Sequence, residues 1–257
     1  MPLAELRAAG IADYVARNCD APGDFWMFLH IPKTAGSSLG TIIAEKLLPY
    51  RNIHVGRTGA KPYAEAIQEA VAAFVADSAE KPFRFASGHV MARYLPPILG
   101  RYPAMKLFTI LRDPVQRVIS DYRYQLTETH PTHQAFRAQF PRIEDFVAHR
   151  RSQNKMVRFL APPQARTAEA IIRHVERNFV WVGTLEDYAH TLAILSQLLG
   201  VPLSPEFRTR TTERIAENEV QVTPALVAEI RRVNPLDIAV YEHFADLLAT
   251  TRRDLAA

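Results

Sequence analysis

Short apolar runs recur along the chain and predict buried strands. The strongest run is Met105–Leu111, and similar runs lie at 25–31, 52–55, 83–86 and 179–182. Between these runs, apolar residues recur at spacings of three and four positions, which is the pattern of amphipathic helices. The helices predicted in this way cover 39–48, 63–76, 115–126, 143–149, 154–160, 168–177, 188–199, 223–233 and 235–250.

The alternation of strands and helices predicts the class of fold. Each strand is continuously apolar, which is typical of a parallel sheet covered on both faces. We therefore expect an α/β protein, a three-layer αβα domain with a central, mainly parallel sheet of about five strands. The chain is expected to form this single domain over 1–257, with 1–24 as a helical lead-in and 127–141 as a loop.

The stretch Phe25–Leu39, FWMFLHIPKTAGSSL, predicts an anion site. The apolar strand stops at Pro32, and small residues then lead into a helix. Free backbone N–H groups and the helix dipole point the same way at such a turn, which favours a phosphate or sulfate group. Lys33 adds a positive charge. The alternative is an ordinary strand-to-helix connection with a surface lysine.

Composition narrows the choice of ligand and compartment. The net charge of +4 suits an anionic ligand but is too small to indicate nucleic-acid binding. The single cysteine, Cys19, excludes an internal disulfide and a thiolate metal cluster, and we expect no metal. The first residues, MPLAELRAAG, do not resemble a signal peptide, and no stretch is long enough for a membrane span. A cytoplasmic protein is expected, and its oligomeric state is not predicted.

A second anion site is predicted after the strand Met105–Leu111. Arg112 follows this strand, and Asp113–Pro114 then opens a helix that carries Ser120. Ligands of parallel sheets bind beyond the carboxyl ends of the strands, and arginine binds phosphate in a bidentate manner. A structural salt bridge is the alternative for Arg112. Two such sites on one sheet predict a ligand with two separated anionic groups.

Several motifs, in order, resemble one enzyme family. HIPKTAGSSL is similar to the 5′-phosphosulfate loop of the sulfotransferase superfamily, and LFTILRDPVQRVISDYRY is similar to its 3′-phosphate motif. Further similar stretches are SGHV, QNKMVRFL, FVWVGTLEDYAHTLAIL, RTRTTER and DIAVYEHF. The resemblance covers about 25–245 and points to the branch that includes heparan sulfate 2-O-sulfotransferase and bacterial carbohydrate sulfotransferases. It implies a P-loop-like fold, with 3′-phosphoadenosine 5′-phosphosulfate (PAPS) as donor and the desulfated nucleotide PAP as product.

The resemblance also implies roles for individual residues. Lys33 would stabilise the leaving group, and His89 would be the general base. Ser87 occupies the position of a second histidine in related enzymes, so we expect that role to be missing. His30 is expected to be buried and His54 to be structural. The implied donor-binding residues are Lys33, Thr34, Ala35, Gly36, Ser37, Ser38, Arg112, Ser120, Arg210, Thr211 and Thr212.

The acceptor side is predicted only coarsely. The segment of about 127–165 is interpreted as an acceptor-side insertion, with Asn154, Arg158 and Arg151 as substrate-binding candidates. Six basic residues and two acids lie between Arg137 and Arg158, which fits a solvated face or an anionic acceptor equally well. A carbohydrate hydroxyl is the first choice of acceptor. A lipid-linked sugar, a small metabolite and a protein tyrosine are the alternatives.

Two other classes of function are alternatives to sulfuryl transfer. A P-loop kinase or NTPase requires a glycine-rich loop with glycine directly before its lysine, whereas here Lys33 precedes Gly36. A non-catalytic nucleotide- or polyanion-binding protein would not need an intact set of Lys33, His89, Arg112 and Ser120. Both remain alternatives from the sequence.

Overall fold

The sheet consists of five parallel strands. The structure is a computed structural model that describes residues 2–55, 61–204 and 218–256. The strands lie in the order β2-β3-β1-β4-β5. Their bounds are β1 Trp26–Leu29, β2 Tyr50–Ile53, β3 Phe85–Gly88, β4 Lys106–Leu111 and β5 Phe179–Thr184.

Helices flank the sheet and complete the three layers. All residues of β1, β3 and β5 are buried, so these strands are covered on both faces. This confirms the predicted α/β fold with its central parallel sheet. The helices are α1 Leu6–Ala9, α2 Ile11–Asn18, α3 Gly36–Lys46, α4 Tyr63–Glu80, α5 Pro96–Arg101, α6 Pro114–Gln125, α7 His133–Gln139, α8 Ile143–Ala148, α9 Lys155–Leu160, α10 Ala168–Asn178, α11 Tyr188–Leu199, α12 Pro224–Val233 and α13 Pro235–Ala256.

The register of the sheet aligns the carboxyl ends of three neighbouring strands. Gly88 of β3 pairs with Leu29 of β1 on one side and with Ile53 of β2 on the other. The residue that follows each of these positions is a histidine. Parallel pairing therefore brings His30, His54 and His89 to one edge, which is the edge where ligands of such sheets bind.

The core has a main part and a smaller part. The main core surrounds the sheet and includes the helices of the N-terminal lead-in, where the Tyr14 hydroxyl donates to the Val180 carbonyl oxygen at 2.6 Å. The smaller core joins α6, α7, α8 and α12 through residues such as Tyr122, Phe136 and Ile230. The predicted 127–165 segment is divided between them, because α9 packs in the main core.

The prediction of a loop over 127–141 is wrong in its second half, where α7 forms. This helix has seven residues and no side-chain cap, so its local sequence gives little sign of it. Its stability comes from burial of Phe136, whose ring lies 5.7 Å from Tyr122 and 5.4 Å from Phe146. Such contacts between distant segments are not visible in sequence periodicity.

Gly88 provides a test of the strand register. A Cβ atom at this position would lie 2.3 Å from the backbone oxygen of Ile53, which cannot move without breaking the sheet. We expect Gly88→Ala to lower the free energy of unfolding by about 2–3 kcal/mol in chemical denaturation. The control is Gly40→Ala, where the new Cβ would lie 3.6 Å from the Ser87 hydroxyl and the helix gains up to about 1 kcal/mol. Equal stability of the two variants would contradict the register.

Candidate active site

The turn between β1 and α3 is strained in a way that suits anion binding. Lys33 and Ala35 have positive φ angles of 72° and 61°, which are unfavourable for residues with a side chain. Such conformations concentrate at functional sites and turn backbone N–H groups toward a common concave space. Ala35 is the N-cap of α3 and no side chain caps this helix, so its first N–H groups face the turn.

Two small residues allow this turn to pack tightly. The buried Thr34 hydroxyl donates to the backbone oxygen of Ile31 at 2.9 Å and holds the turn closed. A Cβ atom on Gly36 would lie 2.2 Å from Cδ2 of His30. Glycine is therefore required at 36 because the His30 ring occupies the space of a side chain.

The Lys33 side chain lies over an aromatic ring. Its Nζ is 4.0 Å from the centroid of Tyr124, which is a cation–π distance. Burial lowers the pKa of Lys33 to about 8; Asp121 opposes this shift, while the charges of Arg112 and Lys155 add to it. The ammonium is thus held in surroundings that favour the arrival of negative charge.

Arg112 connects the second predicted anion site to the first. Its guanidinium Nη1 donates to the backbone oxygen of Lys33 at 3.2 Å, so the ends of β1 and β4 are joined. The helix that carries Ser120 is fixed by Asp113, whose carboxylate accepts from the Gln116 N–H at 2.8 Å. Glu186 in turn accepts from the Asp113 N–H at 3.0 Å.

The tautomer of His89 is set by the backbone. Its Nδ1 lies 2.7 Å from the carbonyl oxygen of His30. Because a carbonyl oxygen can only accept, Nδ1 carries the proton and Nε2 keeps its lone pair. The His30 ring packs against His89 with centroids 4.3 Å apart, and the Phe159 ring lies 6.5 Å away at a steep angle.

The surroundings of His89 favour its neutral form. Burial lowers its pKa, the hydrogen bond to His30 opposes that shift, and the nearby charges of Lys155 and His54 lower the pKa further. The pKa of His30 lies well below its ordinary value because of burial and the neighbouring His89 and Lys33. At neutral pH the site therefore presents an uncharged imidazole that can accept a proton at Nε2.

A buried carboxylate, Asp121, holds one of the cations of the cleft in place. Asp121 on α6 accepts from the Lys155 ammonium at 2.8 Å and from the Arg117 guanidinium at 3.2 Å. Burial alone would raise the pKa of Asp121, but these two cations hold it below its ordinary value. Asp121 therefore stays ionised and fixes Lys155 beside the cleft.

An anion turn, two cations and a neutral histidine form an arrangement that is suited to the transfer of an anionic group. The model of the sulfotransferase family matches residues 20–244. This chain belongs to the sulfotransferase family. The match confirms the prediction of a PAPS-dependent sulfotransferase enzyme. No curated protein matches the chain at a significant level.

A solved sulfotransferase shares the fold. The crystal structure of a sulfotransferase from Alicyclobacillus acidocaldarius is 16% identical, with a TM-score of 0.50, and the match covers 87% of this chain and 96% of that one. The crystal structure of mouse sulfotransferase SULT7A1 complexed with PAP is also 16% identical, with a TM-score of 0.40 and coverage of 89% and 67%.

The predicted acceptor residues of this sulfotransferase have structural contacts of their own. The Asn154 amide oxygen accepts from the N–H groups of Leu236 and Asp237 at 3.0 and 3.2 Å, which caps α13. The exposed Arg158 donates to the backbone oxygens of Arg150 and Gln153 at 2.6 and 2.7 Å. Arg151 is exposed.

These contacts favour structural roles for two of the three acceptor candidates, and acceptor binding by any of them stays a prediction.

Three residues of the predicted donor set cannot be placed. Arg210, Thr211 and Thr212 lie outside the described residues. Within the described ranges, no group of metal-binding side chains is found, and no helix is long and apolar enough to cross a bilayer.

Sequence reasoning missed three residues that meet in this cleft: His30, Tyr124 and Lys155. His30 is half-buried and packs on His89, so a second histidine lies beside the predicted base, and the absence of a role for a second histidine stays a prediction. It comes from β1 rather than from the Ser87 position of β3. His30, His54 and His89 each directly follow a strand of the structure, whereas the predicted strands 25–31 and 52–55 included the first two, so the predicted bounds did not reveal this arrangement.

The low pKa of Lys33 predicts a stabilising substitution. Below about pH 8 the folded chain must keep a poorly solvated ammonium, whereas an unfolded lysine stays charged up to its ordinary value of 10.5. Removing this charge should relieve a cost of roughly 1 kcal/mol, after allowance for solvent screening, which corresponds to a rise of about 2–4 °C in the unfolding temperature. We therefore expect Lys33→Met to unfold at a higher temperature at pH 7 without ligand, as measured by circular dichroism.

The sign of this effect depends on pH. Wild-type stability rises between about pH 8 and 10.5 as the folded chain loses its proton first, so the advantage of the variant should vanish there. Lys46→Met, at an exposed position of α3, should give no gain at either pH. A loss of stability in Lys33→Met at pH 7 would show that burial of the ammonium is not costly.

Proposed function

We propose that the protein transfers the sulfuryl group of PAPS to an acceptor hydroxyl, with His89 as general base and Lys33 at the leaving group. The observation that carries the proposal is the hydrogen bond from His89 Nδ1 to the His30 carbonyl oxygen at 2.7 Å, which leaves the lone pair of Nε2 available to accept a proton. The family match supports the reaction class.

The donor would be held at two points. The backbone N–H groups and hydroxyls of Thr34–Ser38 suit the 5′ phosphosulfate, because α3 begins there without a side-chain cap. Arg112 and Ser120 suit the 3′ phosphate, which distinguishes PAPS from other adenosine nucleotides. The donor set consists of hydrogen-bond donors and cations, which is the chemistry that a nucleotide with two anionic ends requires.

The protein's contribution to the reaction is mainly position and charge. Lys33 can leave the Tyr124 ring and meet the oxygen on which negative charge develops as the sulfuryl group departs. His89 accepts the proton of the attacking hydroxyl at Nε2. A general base of this kind contributes a factor of about 10² to 10⁴ in rate.

The acceptor is proposed to be a carbohydrate hydroxyl. The proposal rests on the resemblance to the branch with carbohydrate sulfotransferases, and an anionic sugar would suit the basic residues near α9. Partial burial lowers the pKa of Arg158; Asp237 opposes this shift, while the charges of Arg117, Arg150 and Arg93 add to it. Their mutual repulsion would be relieved by an acidic group on the acceptor.

The choice of nucleotide tests the proposed function. At a concentration of about 100 times its dissociation constant, PAP should stabilise the fold by about 2.7 kcal/mol, or roughly 5–10 °C in a thermal-shift assay. ATP with Mg²⁺ and AMP should give much smaller shifts, because they lack the 3′ phosphate. A larger shift with ATP and Mg²⁺ would favour the kinase or NTPase alternative.

Arg112→Ala is the control for the second anion site. This variant should lose most of the difference between PAP and AMP, and its own unfolding temperature should fall by about 2–4 °C, because one hydrogen bond to the Lys33 carbonyl oxygen is lost. Binding of PAP without any transfer of label from PAPS to cell-extract fractions would favour the non-catalytic alternative.

His89→Gln tests the general base separately from donor binding. The Gln amide is polar and similar in length to histidine but cannot accept a proton, so turnover should fall by about 10²- to 10⁴-fold while the PAP thermal shift is retained. In the wild type, the acidic limb of the rate profile should lie below the ordinary histidine range, because the pKa of His89 is lowered. Full turnover in His89→Gln would require a different base.

A further inference from the structure

A closed series of contacts runs around the cleft from Lys33 to His89. The Lys33 ammonium lies over the Tyr124 ring at 4.0 Å. Tyr124 and Asp121 are three residues apart on α6 and therefore share a face of that helix. Asp121 accepts from the Lys155 ammonium at 2.8 Å. The ion pair between Asp121 and Lys155 thus connects α6 to α9.

The second half of the series returns from α9 to the histidines. Lys155 and Phe159 are four residues apart on α9 and lie on one face. The Phe159 ring packs against His89 at 6.5 Å between centroids, and His89 packs against His30 at 4.3 Å. His30 in turn fills the space beside Gly36 in the anion turn. Lys155 therefore lies on the wall between the Lys33 and His89 ends of the cleft.

If PAPS binds as proposed, this position lies on the path of the transferred group. In an in-line transfer the sulfur travels from the leaving oxygen near Lys33 to the acceptor oxygen near His89. The electrostatic influence of Lys155 on both Lys33 and His89 is consistent with a place between them. Lys155 is also held rigidly, because its partner Asp121 is 3% exposed and bonded to Arg117 as well.

We propose that the Lys155 ammonium, held on Asp121, contacts the nonbridging oxygens of the sulfuryl group as this group passes from PAPS to the acceptor. The inference rests on the proposed function. The bond from sulfur to the 5′-phosphate oxygen breaks and its electron pair stays on the phosphate. The bond from sulfur to the acceptor oxygen forms, and the acceptor proton moves to Nε2 of His89. Lys155 gives up no proton in this step.

The test compares two nucleotides that differ only by the sulfuryl group. PAPS and PAP carry the same formal charge when fully ionised, so a difference between them reports a contact rather than general electrostatics. Isothermal titration in the absence of acceptor should show that Lys155→Met weakens PAPS binding about tenfold more than PAP binding, which is the lower end expected for a charged hydrogen bond. Lys155→Arg should keep most of the wild-type ratio of PAPS affinity to PAP affinity, because it keeps the positive charge.

Matched controls separate this contact from effects on the fold. Lys155→Gln removes the charge but can still bond to Asp121, and it replaces the Met variant if that variant does not fold. Lys81→Met removes one exposed lysine elsewhere and should change neither affinity. Each variant is also unfolded thermally without ligand.

Equal weakening of both nucleotides, or of neither, overturns the role of Lys155 while leaving the proposed function intact. A wild-type chain that binds neither PAPS nor PAP overturns the proposed function and this inference with it.

Discussion

The hydrogen bond from His89 to the backbone carbonyl oxygen of His30 is the constraint on which the site depends. It exists because β1 and β3 pair in parallel with Leu29 beside Gly88, so the residues that follow them meet. The bond joins the strand that leads into the anion turn to the strand that ends in the proposed base. If β3 shifted by one residue relative to β1, His30 and His89 would lie on opposite faces of the sheet, and the proposed base would no longer face the donor site.

The site is costly to the fold in several independent ways. Two residues of the turn, Lys33 and Ala35, adopt backbone conformations that cost free energy, and the Lys33 ammonium is partly buried beside other cations. The large core around the sheet offsets these costs. Strain and crowded positive charge in an otherwise regular α/β domain are what a site prepared for a multiply charged ligand requires.

The fold and the enzyme family could be predicted because their signals are local. Apolar runs give the strands, and the motif around Lys33 is a continuous stretch of sequence. The contacts of His30 and Lys155 could not be predicted in the same way, since they depend on strand register and on an ion pair between Lys155 of α9 and Asp121 of α6. The helix α7 was missed for a related reason, because burial of Phe136 by distant residues stabilises it.

The packing of α6 in the smaller core has a consequence for how the molecule can open. Asp121 of this helix holds Lys155 beside the cleft, and Val118 and Tyr122 lie in the smaller core with α7, α8 and α12. Local opening of that smaller core would therefore loosen the anchor of Lys155 while the sheet and the anion turn stay folded. The opening that exposes the amide hydrogens of α7 and α8 to exchange would then also release Lys155 from its position beside the cleft. Local stability in this small helical unit and readiness of the cleft for chemistry are thus two measures of one equilibrium.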